Sequence, residues 1–196
     1  MIDLELPLRA GRISDADVLA ELVNQAGEGM PLYLWERMAG PGENAWAVGR
    51  ARAARETGAF SWRNAVMIEA DDGTAAGCLI GYAIPDEVAP IPDDMPAMFR
   101  PLQELENLAP GSWYVNVLAV LPGFRGRGLG RRLLEAADAI GREAGARAMS
   151  IIVADANEGA RRLYARMGYA EVARRTMVKE GWTSAGTAFV LLTKPL

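Results

Sequence analysis

The chain has 196 residues with 21 Lys and Arg against 25 Asp and Glu, a net charge of -4 at pH 7, one cysteine and no histidine. Without histidine, Ser-His-Asp and Cys-His mechanisms and the commonest zinc ligand sets are excluded, and the lone Cys78 excludes an intramolecular disulfide and a thiol-based metal cluster, so no metal is expected. The acidic balance weighs against a nucleic-acid partner, and no apolar run approaches the length of a membrane span. Composition is that of one ordinary globular domain over residues 1–196. The opening MIDLELPLRAGR has early acids and no apolar stretch before a small-residue cleavage site. It does not read as a signal peptide, and the cytoplasm is the expected compartment.

In chain order, LELPLR at 4–9 reads as a short strand, and Ser14 or Asp15 can cap a helix whose Val18, Leu19, Leu22 and Val23 fall at helical spacing. One or two helical pieces follow in 27–56, where Met30, Leu32, Tyr33, Leu34, Trp35 and Met38 are either core or the wall of a substrate pocket. RNAVMIEA (63–70) and GCLIGYAI (77–84) read as antiparallel strands joined through DDGT, with Cys78 as a buried strand residue. Residues 85–111 then form a long proline-rich, acidic connection, with a short helix near PLQELENL. WYVNVLAV (113–120) is a strong strand, and the stripe Leu129, Leu133, Leu134, Ala137, Ile140, Ala144 marks a helix ended by Gly145. MSIIV (149–153) completes a βαβ unit whose two strands should run parallel. Asn157 opens a helix through Met167, and VARRTMV and TAFVLLT read as an antiparallel pair around a loop holding Trp182. The sum is a mixed α/β chain.

The stretch PGFRGRGLGRRLL at 122–134 places glycines where a helix begins, at about 1 kcal/mol each relative to alanine. Its position, between a buried strand and a helix N-terminus with unpartnered amides and a positive dipole end, suits an anion. Glycine lets phosphate oxygens approach bare backbone, and Arg125, Arg127, Arg131 and Arg132 add charge. The alternative is a glycine-rich turn beside a solvated basic helix face. Gly123 and Gly128 match the first part of a P-loop, but Leu129 and Gly130 stand where Lys and Ser or Thr are needed. Gly126, Gly128 and Gly130 resemble a dinucleotide fingerprint until Arg131 occupies the third glycine position.

RGRGLG at 125–130 resembles the Q/R-x-x-G-x-G/A signature of the GNAT superfamily of acyl-CoA-dependent N-acetyltransferases, and the order of segments over 116–172 is similar to that family's. The resemblance implies a single GNAT-like domain, with a central mixed, mostly antiparallel sheet flanked by helices. Two parallel strands, here 113–120 and 149–153, would splay around the pantetheine arm of acetyl-CoA. It implies that the backbone of Leu118, Ala119 and Val120 meets the pantetheine and thioester. Arg125, Gly126, Arg127, Gly128, Leu129, Gly130 and Arg131 would hold the pyrophosphate, Asn157 would contact the cofactor arm, and Tyr164 would stand near the departing sulfur. Asn157 is also a good helix cap, and the roles are compatible.

Acetyl transfer to an amine needs a neutral amine, stabilisation of an oxyanion and a proton for the thiolate. Tyr164 is the candidate acid, the Leu118 N–H the candidate oxyanion donor, and Glu104, Glu106, Glu69 and Asn116 the candidates for the base or for holding a water. The residues leave that choice open. The acceptor pocket is expected from the N-terminal helical region, the acidic connection and the Trp182 loop, with Tyr33, Trp35 and Trp113 as aromatic contacts for a cationic amine of a small molecule or peptide. A non-catalytic acyl-CoA-binding regulatory module is the alternative function. An exposed sheet edge would allow a homodimer.

Overall fold

The computed structural model describes residues 4–88 and 90–196; Met1, Ile2 and Asp3 of the N-terminal stretch and Ala89 of the 85–111 connection lie outside them. By packing, the described residues separate into two compact units, one formed by residues 4–81 with Val117–Glu135, the other by Tyr82–Asn116 with Ala136–Leu196.

In the first unit, β1 (Leu8–Ala10) pairs antiparallel with β2 (Ala65–Glu69), which pairs antiparallel with β3 (Ala75–Ala83). The β2–β3 turn forms at the DDGT signal: Gly73 takes φ +79 and the Asp72 side chain accepts from the Thr74 N–H at 2.9 Å. Arg9 on β1 is clamped by Glu69 on β2 and by Asp15, which also accepts from the Arg12 N–H at 2.8 Å. These bonds fix the entry to α1 (Ala16–Ala26), whose apolar stripe Leu19, Leu22, Val23 is buried as its spacing requires. The 27–56 region resolves into α2 (Met30–Met38) and α3 (Ala45–Ala53), the latter capped by Asn44 accepting from the Trp46 N–H at 2.8 Å. Trp35 is core rather than pocket wall. It is 3% exposed, stacks on Phe60 at 6.1 Å, and lies where a side chain at Gly49 would have to be.

In the second unit the acidic connection yields α4 (Arg100–Glu106), packed on β5 (Ala148–Ala154), β6 (Ala170–Thr176) and β7 (Ala188–Pro195). β5 and β6 both pair antiparallel with β7. The βαβ expectation holds: β4 (Ser112–Val120) leads through α5 (Leu129–Glu143) to β5, and β4 and β5 are parallel. α6 (Glu158–Arg166) follows β5.

Among the described residues the sheet has seven strands in the order β1-β2-β3-β4-β5-β7-β6, with β4–β5 the parallel pair in an otherwise antiparallel arrangement. β3 and β4 run antiparallel, as the bonds Leu121 N–H to Ala76 O (2.8 Å) and Ile84 N–H to Ser112 O (2.8 Å) require. The mixed α/β fold expected from the sequence is therefore present. No helix among the described residues is long and apolar enough to cross a membrane.

Candidate active site

The glycine-arginine turn lies in the first unit. After Val120 the chain makes a 3-10 turn at Pro122–Phe124, passes Gly126 (φ +76) and Gly128 (φ +79), and enters α5 at Leu129. Both glycines adopt a backbone that side-chain-bearing residues avoid, and a Cβ at either would meet nothing within 4 Å. The bare backbone therefore faces open space, and the first amides of α5 have no intrahelical acceptors. The arginines divide their work. Arg125 clamps the turn, donating from Nε to the Val120 carbonyl at 2.9 Å and from a terminal nitrogen to Gln25 Oε1 at 3.1 Å. Arg127 lies over Phe124, 5.4 Å from the ring centroid, and donates to the Gly123 carbonyl at 3.2 Å. Arg131 bonds Glu135 at 2.8 Å, and Arg132 is exposed.

Leu118, Ala119 and Val120 belong to the strand entering this turn, with Ala119 buried and the other two partly covered. Their position depends on Gly77 of β3: a Cβ there would lie 2.5 Å from the Ala119 carbonyl oxygen and 3.2 Å from the Val120 Cα. An open, dipole-headed, arginine-flanked backbone of this kind fits the diphosphate of an acyl-CoA.

Of the residues expected to handle protons, Asn116, Tyr164, Glu104 and Glu106 lie in the second unit and Glu69 in the first. The β4–β5 register runs from Ser112↔Ala148 to Val115↔Ile151, and Asn116, exposed, follows the last pair. Asn157 caps α6, its side chain accepting from the Ala160 N–H at 3.2 Å. Two turns along the same helix, Tyr164 is 5% exposed and tilted against Tyr169 at 6.0 Å. Burial pushes the Tyr164 hydroxyl well above its ordinary pKa, so it keeps its proton at neutral pH. Tyr114 on β4 is raised in the same way, by burial first and then by the charge of Glu106.

The candidate bases separate. Glu104 forms a part-exposed ion pair with Arg175 of β6 at 2.7 Å. Glu69 is taken up by Arg9 in the first unit. Glu106 is partly buried and accepts a 3.0 Å hydrogen bond from the Tyr82 hydroxyl, whose ring meets Tyr114 edge-on at 5.4 Å. Burial raises the Glu106 carboxyl, opposed by the Tyr82 bond. Tyr82 and Tyr114 are the residues that sequence reading missed. Tyr114 shares a strand face with Asn116 by the two-residue period, which is a usable signal; nothing local joins Tyr82 to a glutamate 24 residues away.

Of the aromatics expected around an acceptor, Trp35, Trp113 and Trp182 are buried in packing, while Tyr33 is partly exposed. Trp113 is buried beneath Gly141 of α5, and Trp182 is 5% exposed and stacked on Phe189 at 6.4 Å. Tyr33 carries Arg37 over its ring at 5.5 Å. Cys78 is fully buried, its thiol pushed up to about 12 by desolvation, as befits a strand residue.

Among solved structures, the chain is similar to an acetyltransferase at TM-score 0.65 and 22% identity, covering 96% of this chain and 98% of that one. An N-acetyltransferase from Staphylococcus aureus Mu50 superposes at TM-score 0.63 and 17% identity, with 95% and 98% covered. A chain of the NatC complex bound to Gag peptide and CoA superposes at 0.54 and 15% identity, with 96% and 97% covered. No curated protein matches the chain. The acetyltransferase (GNAT) family model matches residues 32–169, which include the glycine-arginine turn, Asn157 and Tyr164, and the chain belongs to that family.

Proposed function

We propose that the protein is an N-acetyltransferase that passes an acetyl group from acetyl-CoA directly to a primary amine of a small molecule or peptide, that residues 1–196 act as one such domain, and that it works in the cytoplasm. The observation that carries this reading is the turn at 123–131, with left-handed Gly126 and Gly128 open to solvent at the head of α5.

Bound acetyl-CoA would supply an activated acetyl thioester. The amides of Gly128, Leu129, Gly130 and Arg131 would donate to diphosphate oxygens, with Arg127 and Arg131 adding charge and Arg125 holding the turn in shape. The backbone of Leu118, Ala119 and Val120, together with Asn157, would orient the pantetheine arm. Tyr164 is the candidate to give a proton to the departing thiolate, the role its position in the family pattern implies; burial, which strengthens its hold on that proton, does not itself favour the transfer. An alkyl amine with pKa near 10 is neutral to only about one part in a thousand at pH 7, so a carboxylate or a held water that takes its proton would speed the reaction. Glu104, Glu106 and a water held by Asn116 are the candidates.

The test is the thermal unfolding midpoint with and without acetyl-CoA, with ATP and NAD as controls, followed by a screen of primary amines for release of free CoA thiol. A midpoint rise of several degrees with acetyl-CoA alone, and thiol release with at least one amine, is the expected result. A rise with ATP or NAD but not acetyl-CoA would refute the cofactor. Acetyl-CoA binding with no transfer to any amine would replace the enzyme by a binding module.

A further inference from the structure

Glu106 is a carboxylate without a countercharge. It forms no ion pair among the described residues, and its hydrogen bond comes from a neutral hydroxyl, Tyr82. The charged groups on the strands under α4 are already matched: Arg175 with Glu104, Arg174 with Glu171, and Lys194 with Asp138. Facing Glu106 are Tyr82 of β3 and Tyr114 of β4, and Tyr114 in turn feels Tyr164 of α6. A partly buried anion set among neutral tyrosines costs desolvation energy that no resident cation offsets. An uncompensated carboxylate bounded by neutral hydroxyls and rings suits a compact cation, which would supply the missing countercharge.

We propose that Glu106 binds the acceptor's ammonium group and removes its proton, that Tyr82 positions Glu106, and that the acceptors are alkyl primary amines arriving protonated. This rests on the acetyltransferase reading above. Of the two protons the ammonium nitrogen sheds on becoming an amide, the first passes to a Glu106 carboxylate oxygen and then to solvent. The freed lone pair forms the C–N bond as the C–S bond breaks, and the second proton ends on the departing sulfur. Glu104 is unsuited to the same task because Arg175 already neutralises it. The raised affinity of Glu106 for a proton, caused by burial and restrained by the Tyr82 bond, supports the assignment.

The experiment uses the full chain as wild type, Glu106→Gln and Tyr82→Phe. First, carboxyl carbon NMR follows the Glu106 titration without CoA, with and without n-butylammonium chloride. Second, kcat/KM is measured against pH with an alkyl amine that the wild type acetylates. Expected are a Glu106 resonance that moves on adding n-butylammonium, a roughly 100-fold loss of kcat/KM in Glu106→Gln with loss of the acid limb, and an acid limb and NMR titration both displaced to higher pH in Tyr82→Phe. The last shift follows because the lost hydroxyl favours the charged carboxylate, and a merely structural Tyr82 would not produce it. Should Glu106→Gln fail to fold, the wild-type and Tyr82→Phe titrations still decide. An acid limb unchanged in these variants, or removed by Glu104→Gln instead, overturns the assignment and leaves the acetyltransferase reading standing. A wild type that acetylates no amine overturns both.

Discussion

Gly77→Ala is expected to damage the protein at a distance from any reacting atom. The added Cβ would lie 2.5 Å from the Ala119 carbonyl oxygen, whereas ordinary contact begins at 3.4 Å, and it would press Ile68 and the Val120 Cα at 3.2 Å. The nearest obstacle is backbone in a neighbouring strand, so no rotamer change relieves it; β3 and β4 must separate by most of an ångström. Overpacking of this kind costs about 1 to 3 kcal/mol, which for a chain of this size lowers the midpoint by roughly 2 to 12 °C. Gly141→Ala is the matched comparison. Its Cβ would meet the Met149 sulfur at 2.7 Å and the Leu196 Cδ1 at 3.0 Å, both ends of flexible side chains that can turn away. Thermal unfolding followed by circular dichroism should therefore rank Gly77→Ala below Gly141→Ala. Acetyl-CoA affinity should fall in the Gly77 variant alone, since Ala119 and Val120 move. A Gly77→Ala midpoint equal to wild type would refute the argument that this glycine sets the position of β4.

Gly128→Ala should behave differently, because the space beside it is empty and only the left-handed backbone at φ +79 resists the change, at about 1 to 2 kcal/mol; calorimetric titration should show acetyl-CoA bound about tenfold more weakly or worse, the methyl occupying the place of a phosphate oxygen. Tyr164→Phe removes one hydroxyl and leaves the ring in place, so acetyl-CoA affinity should stay nearly the same while steady-state turnover drops about 100-fold, and equal turnover would remove the tyrosine from the reaction. Asp155 accepts from the Thr187 hydroxyl at 2.7 Å and from its N–H at 2.8 Å, which holds its pKa down at about 2 from an ordinary 3.8. Between those values the unfolded chain binds more protons than the folded one, so this stabilisation is present above pH 3.8 and is lost as pH falls through about 2. Urea midpoints between pH 4 and 2 should fall less steeply in Asp155→Ala than in wild type.

Features that depend on neighbours a few residues apart were legible in the sequence. The DDGT hairpin, the capping Asn157, the stripe of α5 and the glycine turn ahead of it follow from local backbone preference and periodicity, and each stands where those rules place it. The family could be read from the same local pattern. What an individual side chain does could not, because charge and burial are set by partners far along the chain. Glu104 and Glu106 are two residues apart on one short helix and indistinguishable in sequence. A bond to Arg175, 71 residues on, neutralises the first, and a bond to Tyr82, 24 residues back, leaves the second an uncompensated anion. Arg125 donates to the Val120 carbonyl and to Gln25, 100 residues earlier, contacts that no local pattern shows. Trp113 and Trp182 carry the composition of a binding pocket but are consumed by packing against α5 and Phe189. Local physics determines which backbone can form; only the assembled structure determines which charges meet, because the free energy of a charge depends on its whole surroundings rather than on its place in the chain.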